Sequence, residues 1–133
     1  METIEKKIIK GGEFIIKKTK CDELFTPEDF SDEQKMMRDA VKDFTDKEIW
    51  SKKHEFENHN YQLTADVMKK AGNLGFLGVN VPEEYGGLGM PFTSSMLVCD
   101  YISGSSGSTS TAFGAHTGIG TMPIILYGNE KQK

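Results

Sequence analysis

A chain of 133 residues is long enough to bury a core and short enough to be read as one domain. Apolar residues make up 37% and charged residues 27%, which is the balance of a globular chain rather than a disordered one. A net charge of −4 with a pI near 5.4 argues against nucleic acid or an anionic membrane surface as a main partner.

Residue types narrow the field further. Arg38 is the one arginine among 16 basic residues, and arginine is the preferred bidentate clamp for phosphate and carboxylate. Cys21 and Cys99 are too few for a metal site and read as reduced thiols. Lys6 and Lys7 are not followed by an apolar stretch of leader length, so a cytoplasmic protein is expected. No apolar run approaches the roughly 20 residues of a membrane span.

Residues 1–30 read as an irregular extension. Within it, Ile8-Ile9 and Phe14-Ile15-Ile16 flank Gly11-Gly12, which suggests a short β-hairpin. Residues 31–133 read as an all-α domain of five to six helices, an orthogonal or up-down bundle. The first helix spans 31–50, opened by a Ser31-Asp32-Glu33-Gln34 capping box. Met37, Val41 and Phe44 form its buried stripe. A polar connection follows, then a helix over 64–74 with Val67, Met68, Ala71 and Leu74 on its apolar face and Gly75 as its stop. Phe76 to Met90 is a glycine-rich loop. A third helix spans 93–103 with Thr93 as its N-cap, and a fourth, rich in small residues, spans 108–119. Pro123 opens a short fifth helix that Gly128 closes. Residues 129–133 resemble the cap and first turn of a further helix, as though the chain were truncated there.

Each candidate for chemistry has a structural alternative. Glu83-Glu84 are adjacent loop carboxylates with nothing nearby to split their pKa values, so a solvated turn is the better reading. Gly86-Gly87-Leu88-Gly89 lacks the G-x-G-x-x-G fingerprint and the P-loop lysine. It is better read as backbone geometry that only glycine allows. His54, His59 and His116 are too scattered for a metal motif. Ala112, Ala115 and Ile119 fall at i, i+3 and i+7, on one face of an α-helix. That face is either a close helix–helix contact or the wall of a narrow apolar channel.

Three segments share a family pattern. Val81-Pro82-Glu83-Glu84-Tyr85-Gly86-Gly87-Leu88-Gly89 is similar to a signature of the acyl-CoA dehydrogenase family. So is Met122-Pro123-Ile124-Ile125-Leu126-Tyr127-Gly128-Asn129-Glu130-Lys131-Gln132-Lys133. The helix led by Ser31-Asp32-Glu33-Gln34 resembles the first helix of that family. The order and separation of these segments carry the resemblance over about residues 26–133. Lys10-Gly11-Gly12-Glu13-Phe14, Phe25 to Phe30 and Gly114-Ala115-His116 resemble long bacterial members related to the very-long-chain subgroup.

The resemblance implies the first of three domains in an FAD-dependent enzyme. In that enzyme a carboxylate takes the α-proton of an acyl-CoA thioester and the β-hydrogen leaves as hydride to the flavin. The base and the flavin motifs belong to the middle and C-terminal domains, which would be partners of this one in a homodimer or homotetramer. No catalytic or cofactor-binding residue is assigned within this chain. Ala112, Ala115 and Ile119 correspond to positions facing the acyl tail, and two alanines there imply a deep channel. A stand-alone helical interaction module and a related flavin oxidase or monooxygenase stay open as alternatives.

Overall fold

The computed structural model describes residues 8–133 and divides between Glu33 and Gln34 into two compact units. Among the described residues all regular structure is helical.

The expected hairpin in the first unit is not formed. Gly11 turns the chain at φ +57°, and Glu13–Ile16 makes a single helical turn, α1. Lys17 N–H donates to the Glu13 carbonyl at 2.9 Å, and Lys17 Nζ reaches the Glu13 carboxylate at 2.7 Å, an i, i+4 pair of the kind that favours helix. Ile15 and Ile16 stay exposed. A hairpin needs a surface to cover such residues. Two 3₁₀ turns follow, Cys21–Glu23 and Pro27–Asp29, and Phe25 meets Phe30 edge to face at 5.1 Å.

The second unit holds the core. Helix α2 (Asp32–Glu48) buries Gln34, Val41, Phe44 and Thr45. A short α3 (Lys53–Glu57) buries Phe56 inside the stretch read from sequence as a polar connection. Helix α4 (Tyr61–Asn73) begins three residues earlier than expected, because Asn60 Oδ1 accepts the Leu63 N–H at 3.2 Å and caps it. Helix α5 (Phe92–Ser105) buries Leu97, Val98 and Ile102. Thr93 lies in its first turn rather than at its cap. There, with Ser94, it receives the amide of Gln34 at 3.1 and 3.0 Å. This buried amide fixes the start of α2 against the start of α5, and leaving it unpaired would cost about 1–3 kcal/mol.

Helix α6 (Gly107–Gly114) buries Thr109 and Phe113. The helix then continues through Ala115–Thr121 in the wider π register into α7 (Met122–Tyr127). Val41, Ile49 and Val98 are wholly buried, with Phe113 and Ile102 beside them. Phe44 and Phe76 meet edge to face at 5.5 Å in the same cluster, so the glycine-rich loop after α4 is anchored in the core by Phe76. Glu48 joins Lys52 at 2.8 Å and Lys70 at 2.7 Å, which ties the end of α2 to α4. Cys21 and Cys99 are free thiols. No helix of the described residues is long and apolar enough to cross a membrane.

Candidate functional site

The loop between α4 and α5 is built by its glycines. Gly75 ends α4 in the left-handed region at φ +81°, and Gly86 and Gly89 adopt the same hand, a conformation that costs other residues roughly 1–2 kcal/mol. Gly87 serves differently. A Cβ there would overlap the backbone and side chain of Val81, so the two strands of the loop approach more closely than any side chain permits. That approach lets the loop satisfy itself. Gly87 N–H donates to the Pro82 carbonyl, Leu88 N–H to Gly78, Gly89 N–H to Val81 and Met90 N–H to Val79, at 2.9 to 3.2 Å. A phosphate cradle needs such donors pointing at its ligand. Here they point into the loop, which excludes phosphate binding by this stretch. Glu83 and Glu84 are exposed, as a solvated turn requires.

A cleft of about 350 Å³ lies between this loop and the helix of residues 115–127. Leu77, Val81, Leu88, Ile124 and Ile125 give it apolar walls, and His116, Thr121 and Tyr85 give it polar ones. Asn80 Nδ2 donates to Met122 Sδ at 3.4 Å beside it. Thr121 Oγ1 donates to the His116 carbonyl at 2.8 Å, five residues back along the π segment. Partial burial, with the Glu130 and Glu84 charges nearby, pushes the Tyr85 hydroxyl above the usual phenol range. Lys133 Nζ stands 5.5 Å from the Tyr85 ring centre. The cleft is at the lower end of the roughly 300–1,000 Å³ of small-molecule pockets. The loop N–H groups of Gly87, Leu88, Gly89 and Met90 are already paired within the loop. Among the described residues no group of three His, Cys, Asp or Glu side chains is placed to hold a metal ion.

None of the three residues singled out from sequence lines this cleft. Ala112 is half-buried, Ala115 is exposed and Ile119 is 82% exposed. A Cβ added at Gly114 or Gly118 would meet nothing within 4 Å, so the outward side is open. The cleft residues His116, Thr121 and Ile125 were not grouped by sequence reasoning. Their alignment depends on the π segment, which an α-helical wheel does not reproduce.

The family model described as acyl-CoA dehydrogenase, N-terminal domain, matches residues 31–133. The chain belongs to that family. Over 124 residues the domain is 44% identical to a "Probable acyl-CoA dehydrogenase" of Bacillus subtilis, with 93% of this chain and 21% of the relative covered. Over 104 residues it is 35% identical to the mitochondrial isovaleryl-CoA dehydrogenase of Bos taurus, covering 77% of this chain and 24% of the relative. Among solved structures, an acyl-CoA dehydrogenase of Bacillus anthracis complexed with FAD matches 92% of this chain at 43% identity with a TM-score of 0.81. The chain spans about a fifth of the length of that protein and of the Bacillus subtilis relative.

Proposed function

We propose that this domain serves as the N-terminal helical domain of a cytoplasmic, FAD-dependent acyl-CoA dehydrogenase of fatty acid β-oxidation, working as a homodimer or homotetramer. The observation that carries the reading is the likeness, at 43% identity, to an acyl-CoA dehydrogenase crystallised with FAD. The reaction is α,β-dehydrogenation of an acyl-CoA thioester. In this reading the base and the flavin motifs belong to the middle and C-terminal domains.

The contribution of this chain is shape. Ala112, Ala115 and Ile119 form wall at the far end of the acyl channel. Alanines there leave room for a long tail, and each further buried CH₂ adds about 0.8 kcal/mol. The open, apolar outward side of the helix supports this, as it is uncovered within the domain.

The test is to express the domain with its remaining domains, assay dehydrogenation of butyryl- and palmitoyl-CoA, and repeat with Ala115→Leu. The variant is expected to lose palmitoyl activity while keeping butyryl activity. Equal losses on both substrates would remove Ala115 from the channel wall. An enzyme inactive on every acyl-CoA would remove the functional assignment itself.

A further inference from the structure

Residues 128–133 leave α7 and open a new turn. Gly128 ends α7 in extended backbone. A Cβ there would collide with the Ile124 carbonyl, which accepts the Gly128 N–H at 2.7 Å. Asn129 Oδ1 accepts the N–H groups of Lys131 and Gln132, both at 3.1 Å. The Asn129 N–H donates in return to Gln132 Oε1 at 3.0 Å. This reciprocal pair is a capping box, the device that satisfies the orphan donors at a helix start. Lys133 N–H donates to the Asn129 carbonyl at 3.1 Å, which is the first i, i+4 bond of an α-helix.

This turn stands on the rim of the cleft. The Glu130 side chain reaches the Tyr85 hydroxyl. Lys133 Nζ lies 5.5 Å from the centre of the Tyr85 ring, and Lys133 itself lines the cleft. Residues three and four apart share a helix face, so Glu130 and Lys133 mark the face turned toward the cleft. The next positions on that face fall one and four residues after Lys133. The wall they would meet is apolar, made by Leu77, Val81, Leu88, Ile124 and Ile125. Leu88 is 39% exposed and Ile124 45%, while the N–H groups of Leu88, Gly89 and Met90 are paired within the loop. The cleft therefore offers apolar contact to whatever enters it.

We propose that the cleft is the seat of an amphipathic helix that starts at Asn129 and continues in the full-length enzyme, its apolar side chains one and four residues after Lys133 packing on Leu88 and Ile124. This rests on the functional reading above, in which further domains accompany this one; the Bacillus subtilis relative, of which this chain covers 21%, has the length for it. The cleft is then an interface between this domain and the rest of the enzyme, separate from the exposed Ala115 and Ile119 assigned to the acyl channel. Filling it removes Leu88 and Ile124 from water and joins the glycine-rich loop to α7 through a third element.

The experiment compares the 133-residue chain with the enzyme carrying all its domains. Both carry Cys21→Ser and Cys99→Ser and one reporter thiol, Leu88→Cys or, as an independent second reporter, Ile124→Cys. The probe is dithionitrobenzoate. The reporters are expected to react freely in the 133-residue chain and about tenfold or more slowly in the enzyme, where the thiol is reached only when the helix lifts. Asn129→Ala in the enzyme should raise that rate about fivefold, the effect of one lost cap on the opening. Equal rates in the chain and the enzyme would show an uncovered cleft and overturn the proposal. Protection indifferent to Asn129→Ala would assign the cover to another element and overturn it too. Protection of the shorter chain that disappears on dilution would make a second copy the occupant, with the same consequence. The enzyme is also assayed on butyryl- and palmitoyl-CoA. Absence of dehydrogenation together with the expected labelling would remove the functional reading and leave the seat of the helix standing.

Discussion

Gly87→Ala should be among the most damaging single changes in the glycine-rich loop, although it adds only one methyl group. The added Cβ would overlap the Val81 carbonyl and Cβ. Both neighbours are held, since Val81 is buried and its carbonyl accepts the Gly89 N–H at 2.9 Å. Relief requires the two sides of the loop to part. That breaks two or three backbone hydrogen bonds, among them Leu88 to Gly78 at 3.0 Å and Gly87 to Pro82 at 3.2 Å, at about 1 kcal/mol net each. Partial exposure of Val81 adds about 1–2 kcal/mol. The expected loss is about 3–5 kcal/mol, a large part of the 5–15 kcal/mol typical of a domain. Gly86→Ala is the internal control. Gly86 has φ +81° with nothing within 4 Å of its Cβ position, so only the left-handed backbone penalty of about 1–2 kcal/mol applies. Urea unfolding followed by circular dichroism gives both values on one scale. A Gly87→Ala loss no larger than that of Gly86→Ala would show that the loop yields freely and that close approach is not why glycine stands there.

Phe113→Ala should cost about 3–5 kcal/mol in the same assay, because Phe113 is 1% exposed at the contact of α6 with the core; a loss below about 1 kcal/mol would remove it from the core. Glu48→Gln should give a small, pH-dependent loss. Hydrogen bonds from Lys52 and then Lys70 lower the Glu48 pKa below its ordinary 4.5, so the stabilisation is fully present above that value and disappears as pH falls through the lower folded-state value. The gap between wild type and variant should be about 1 kcal/mol or less at pH 7, shrink in high salt, and close under acid conditions; a gap that widened on acidification would contradict the assignment.

How much of this was legible in the sequence follows from which interactions are local. Helices α2 and α4 were readable because Val41, Phe44, Val67 and Ala71 repeat at helical spacing and all are buried. The hairpin around Gly11-Gly12 was misread because β-branched composition resembles a strand whether or not a surface exists to cover it, and Ile15 and Ile16 have none within the domain. Thr93 was assigned as a cap because capping is a local rule, whereas its hydroxyl answers to Gln34, 59 residues earlier.

The cleft was not legible in the sequence, because it joins a loop to a helix about 40 residues further on whose register changes part-way. Ala112, Ala115 and Ile119 were grouped on an α-helical wheel; Ala112 is half-buried in α6, and Ala115 and Ile119 are exposed in the π segment that follows. The local signal that the chain does offer is Pro123, which has no N–H to donate four residues back and so disturbs the regular helical register around it. A Cβ at Gly120 would sit 3.2 Å from the Ala115 carbonyl oxygen, the group five residues back, so glycine suits the wider turn at that point.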